Sequence, residues 1–102
     1  MAIIRKPNTT REGGSWSEQT KISVWKKGSE IPGYDAGIWR HDTYGSVMKF
    51  SEYGNRSSDH GWEIDHITPV ANGGGDEPNN LQPLNWKNNA SKGDSLNWKK
   101  TV

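Results

Sequence analysis

Apolar residues in this chain come in short clusters separated by polar, glycine-rich stretches, and the clusters predict small elements. Residues 1–14 are polar and carry Pro7, Thr9, Thr10, Gly13 and Gly14, the composition of an arm or linker. Ser15-Trp16-Ser17-Glu18 fits a capping box, with Ser15 as cap and Glu18 three residues on. A short helix to about Lys27 follows, with Ile22 and Trp25 three apart on one face and Gly28 as its C-terminal glycine. Pro32-Gly33 marks a turn. Ile38 to His41 and Val47 to Phe50 read as two strands of a hairpin around Tyr44-Gly45. From Trp62 to Ile67, Trp62 and Ile64 alternate with Glu63 and Asp65, which predicts a strand ended by Pro69. Residues 71–79 are an irregular loop of Gly and Asn. Alternation resumes over Asn80 to Leu84, where Pro83 requires an edge. A last helix starts at Asn85 or Trp86 and runs to about Lys92, with Gly93 as its stop.

These elements fit one small α+β domain in 102 residues. Only 29% of residues are hydrophobic, and the mean hydropathy is −1.02. That balance leans toward disorder, but six Trp, three Tyr and one Phe oppose it, because each large ring buries much area. The expectation is a fold pinned by Trp side chains rather than by an aliphatic core. With no Cys there is no disulfide and no thiolate zinc site. Met1 to Lys6 lacks the apolar run of a signal peptide, and no stretch approaches membrane-spanning length, so the expectation is a soluble, cytoplasmic protein without a membrane partner. The net charge of +1 does not select a partner. Residues 1–50 carry eight Lys/Arg against five Asp/Glu, and residues 51–102 five against seven. A nucleic-acid binder of this composition would use local basic patches.

The chemistry concentrates between Asp65 and Lys92. Hydrolysis of a phosphodiester needs a base to take a proton from water, charge to offset the phosphate, and stabilisation of the leaving oxygen. An imidazole titrates near operating pH, so His66 suits the first task. Carboxylate and amide oxygens are hard ligands for Mg²⁺, Mn²⁺ or Ca²⁺, so Asp65 and Asn89 suit the others by holding a divalent cation. A lone Asp-His pair or a lone Gly-rich loop is a weak signal; their order is the stronger one.

Gly61-Trp62-Glu63-Ile64-Asp65-His66-Ile67, the loop at 73–76, Asn80-Leu81-Gln82-Pro83-Leu84 and Trp86 to Asp94 together resemble the HNH endonucleases, or ββα-metal nucleases. Ile31 to Asn55 resembles, less specifically, the flank of small stand-alone bacterial members. The resemblance implies a ββα-metal core, with the N-terminal helix and hairpin beside it. It implies His66 as general base, Asp65 as metal ligand before it, Asn80 as the middle residue whose amide bonds backbone across the loop, and Asn89 as second metal ligand. Asn88 competes with Asn89, and family spacing favours Asn89. Gly93 stands where some members carry a further His, so the expected site is looser and better suited to Mg²⁺ than to zinc, with Mn²⁺ able to substitute. No structural zinc is expected. Lys92, three residues after Asn89, shares its helix face and is a phosphate-binding candidate, as are Arg56, Lys87 and Arg40. Glu63 shares the strand face of Asp65 and is a supporting candidate. His41 and His60 read as surface residues.

The implied function is a one-metal endonuclease acting on DNA, with RNA not excluded, that leaves 5′ phosphates. The alternatives are a non-catalytic nucleic-acid-binding module on the same scaffold, and a protein-interaction domain with an exposed aromatic patch. The expected organisation is an arm at 1–14, the nuclease domain at 15–94 and a basic tail at 95–102.

Overall fold

The computed structural model describes residues 5–96 and 98–100. Residues 1–4 of the expected arm, and 97, 101 and 102 of the expected tail, lie outside the described residues. In order, the elements are α1 (Glu18–Trp25), β1 (Ser29–Glu30), β2 (Trp39–His41), β3 (Val47–Lys49), β4 (Trp62–His66), β5 (Leu81–Asn85) and α2 (Trp86–Lys92). β1, β2 and β3 form an antiparallel sheet, and β4 and β5 form a second, two-stranded one. The class is α+β, as the pattern of elements predicts. No helix among the described residues is long and apolar enough to cross a membrane.

Two details of α1 differ from expectation. The cap is Ser17, not Ser15: its hydroxyl accepts from the Thr20 amide at 3.1 Å. The helix therefore starts one residue after Ser17, and its buried face carries Val24 and Trp25 while Ile22 is exposed. Gly28 is not a left-handed cap. It lies where α1 passes the hairpin, and a Cβ there would come within 3.1 to 3.2 Å of Arg40, His41 and Met48 atoms. Short 3-10 turns at Val70–Asn72 and Pro78–Asn80 also bracket the loop that read as wholly irregular.

The apolar core joins Val24, Trp25, Met48, Trp62, Ile64 and Leu81, with Trp16, Phe50 and Tyr53 packed against it. Trp62 is fully buried at its centre. Its ring lies 5.0 Å from Trp25 and 4.9 Å from Tyr53, within the range of favourable aromatic pairs. Its indole N–H donates to the Phe50 carbonyl, so burial leaves no polar atom orphaned. The expectation of Trp anchors holds for Trp25 and Trp62; the other four Trp are only half-buried.

A buried carboxylate ties the hairpin to the second sheet. Asp42 accepts from the Tyr44 and Ser46 amides in the hairpin turn, and from the Asn85 amide and the Asn88 side chain at the start of α2. Four donors replace the water it gives up, as burial of a carboxylate requires.

Candidate active site

All five residues of β4 are buried, so the expected half-exposed alternation becomes two different buried faces. Trp62 and Ile64 enter the aromatic core. Glu63 and Asp65 turn toward α2, where Asn89 and Lys92 meet them. The register sets Asp65 opposite Gln82 and His66 opposite Leu81.

Asp65 is 6% exposed. One carboxylate oxygen accepts from Gln82 at 2.9 Å and the other from Lys92 at 3.2 Å. Burial pushes its pKa above the ordinary carboxylate value, while Gln82, Lys92 and His66 pull the other way. The Lys92 ammonium also donates to the His66 carbonyl at 3.0 Å. Lys92 is thus buried behind Asp65, with its charge directed into the protein.

Asn89 donates from Nδ2 to Glu63 at 2.8 Å. A carboxylate only accepts, which fixes the orientation of the amide and leaves its oxygen as the free acceptor. Glu63 also receives both arms of the Arg56 fork at 2.7 and 2.8 Å, and these bonds raise the Arg56 pKa further. Asn88 is turned elsewhere, onto Asp42 and Ser46.

Asn80 holds the loop between the strands. Its oxygen accepts from the Thr68 amide, and its nitrogen donates to the Thr68 and Gly75 carbonyls. The fit demands glycine at 74: a Cβ there would lie 1.8 Å from the Thr68 oxygen and 2.9 Å from the Asn80 amide. The loop delivers Asp76 to His66, with Oδ1 and Nε2 2.7 Å apart.

Asp65, His66, Asn89 and Arg56 line one cleft of about 560 Å³. Arg5, Lys6 and Asn8 of the N-terminal segment line it too. Asn8 is fastened there, accepting from the Ile64 amide at 2.7 Å and the Tyr53 hydroxyl at 3.1 Å. Lys92, Lys87 and Arg40 do not line the cleft. Lys87 pairs with Asp59 on the surface, and Arg40 donates to the carbonyls of Lys26, Gly28 and Ala36 around the end of α1.

The cleft presents hard oxygen donors. They are the Asp65 carboxylate and the Asn89 amide oxygen. A cation there would keep several water ligands, as Mg²⁺ commonly does.

Sequence reasoning missed Asp76, Asn8 and Asp42. Asp76 stood in the Gly-rich loop that was singled out, but nothing in that loop's local pattern says what its carboxylate touches. The family model described as HNH endonuclease matches residues 53–95, which span β4, the loop, β5 and α2. Comparison with curated proteins gives no match, and comparison with solved structures gives none either.

Proposed function

We propose that the chain, whose residues 53–95 match the HNH endonuclease family model, is a divalent-metal-dependent endonuclease that hydrolyses DNA phosphodiester bonds. HNH nucleases act on nucleic acids and use divalent metal ions. The observation that carries the finer reading is the convergence of His66, Asp65 and Asn89 on one cleft.

In this reading His66 takes a proton from a water molecule, and the hydroxide attacks phosphorus in line with the leaving 3′ oxygen. Asp65 and Asn89 would hold Mg²⁺, or Mn²⁺ in its place, which when bound offsets phosphate charge and stabilises the leaving oxygen. Lys92 acts from behind. Its ammonium offsets part of the cost of burying the Asp65 charge and donates to the His66 carbonyl, so it positions the ligand and does not touch phosphate. Arg56 is the phosphate-binding candidate that lines the cleft, while Glu63 aligns both Arg56 and Asn89. Asn80 keeps the loop closed. The working unit is 15–94, with residues 5–9 adding one wall of the cleft. The lack of Cys supports a reducing compartment such as the cytoplasm.

Purified protein with Mg²⁺ or Mn²⁺ is expected to nick or cut plasmid DNA. His66→Ala is expected to lower the rate by ~10² to 10⁴-fold, the usual contribution of a general base, with its circular dichroism spectrum unchanged. Undiminished cleavage by that variant refutes the mechanism. A second reading, a binding module without catalysis, draws on the Lys92 ammonium already paired with Asp65. It predicts salt-sensitive DNA binding and no cleavage with any metal tried.

A further inference from the structure

The contact between Asp76 and His66 has no part in the mechanism above. We propose that Asp76 is the positioning residue for His66, and that its carboxylate fixes the imidazole in the one tautomer able to accept a proton at Nδ1. The proposal rests on the nuclease reading for its catalytic consequence only.

The chemistry follows from donor and acceptor roles. A carboxylate oxygen 2.7 Å from Nε2 needs a hydrogen on that nitrogen, because an ionised carboxylate only accepts. A neutral imidazole carries one ring proton, so Nδ1 is left as the acceptor. Among the described residues no hydrogen bond engages Nδ1. The opposite tautomer would present an N–H at Nδ1 and have no lone pair there for a water proton.

The carboxylate is itself held in place. The Arg11 backbone N–H donates to both Asp76 oxygens, at 2.9 and 3.2 Å. Behind it, the Gly75 carbonyl is tied to Asn80, so the residue before Asp76 is fixed as well. The Trp16 ring packs 5.6 Å from the imidazole and limits its rotation. The approach also comes from the right side. Asp76 lines a neighbouring cleft with Trp16 and Thr20, whereas His66 lines the cleft of Asp65 and Asn89. The carboxylate thus grips the ring from behind and leaves the cleft open.

The test pairs a spectroscopic readout with kinetics. With His66 neutral, the ¹⁵N spectrum of the wild-type ring is expected to show one tautomer, protonated at Nε2. Asp76→Ala is expected to show a mixture of both tautomers. Asp76→Asn keeps an oxygen acceptor and is expected to retain the wild-type tautomer. In Mg²⁺-dependent cleavage, Asp76→Ala should lower kcat ~10 to 100-fold, the range for partners that orient a site residue, with KM within about twofold. Asp76→Asn should recover most of that loss. An unchanged tautomer in Asp76→Ala, an unchanged kcat, or a loss confined to KM overturns the proposal. If Asp76→Ala does not fold, Asp76→Leu takes its place, and a ring that keeps one tautomer protonated at Nε2 in that variant overturns it equally. Should the wild type cut no DNA with any metal, the nuclease reading falls while the ring spectra still decide whether Asp76 sets the tautomer.

Discussion

The two faces of β4 solve the same burial problem with opposite chemistry. Toward α1, Trp62 and Ile64 disappear among Trp25, Met48 and Leu81, and the gain comes from apolar area removed from water. Toward α2, Glu63 and Asp65 disappear among Arg56, Asn89, Gln82 and Lys92, and named donors replace much of the lost hydration. The first face stabilises whatever sequence surrounds it. The second holds two carboxylates still, at a desolvation cost that their hydrogen-bond and charge partners offset in part. The aromatic face supplies stability that the acidic face uses to keep charged groups buried beside a cleft.

Substitutions on the two faces should therefore fail differently. Trp62→Ala is expected to have the largest effect on stability, ~3 to 5 kcal/mol by the usual cost of removing a buried aromatic ring. That is a large share of a small domain's total, and thermal unfolding monitored by circular dichroism should show it. A loss below ~1 kcal/mol would place the core elsewhere. Glu63→Gln is expected to cost less, ~1 to 3 kcal/mol, since it weakens charge-assisted bonds to Arg56 without opening a cavity. Its cleavage rate should fall out of proportion to its melting temperature, because Asn89 and Arg56 lose their common brace. A rate that only tracks the fraction folded would erase the distinction between the faces. Lys87→Ala sets the lower limit. Its ion pair with Asp59 is exposed, so no measurable change in Tm is expected. Because Lys87 lies outside the cleft, the salt dependence of DNA binding should also stay unchanged; a slope reduced by ~1 would give it a phosphate contact after all.

What was legible in the sequence depended on how far each residue's partners lie along the chain. The order Asp65-His66, Asn80, Asn89 could be read because each occupies a fixed place in a strand, loop and helix that are consecutive. The hairpin and both helices could be read because turn and cap residues act within a few positions. Even there, Ser15 and Ser17 offered the same hydroxyl two residues apart, and only the geometry of the first turn selected Ser17. Lys92 was correctly placed on the helix face of Asn89, but which way its ammonium turns was set by the buried Asp65 it meets. Asp42, Asn8 and Asp76 were not legible at all. Asp42 meets Asn85, Asn8 meets Ile64, and Arg11 meets Asp76, all across long stretches of chain. No local pattern encodes such meetings.

The position of Trp62 also bears on how portable this motif is. The strand that carries Asp65 and His66 bears on its reverse a large indole covered in part by Trp25 in α1, far upstream of the matched segment. A peptide trimmed to 53–95 would lose the Trp25 and Phe50 rings over that indole and be prone to self-association. Grafting this strand, loop and helix into another host would succeed only where the recipient brings its own lid for the back of the strand.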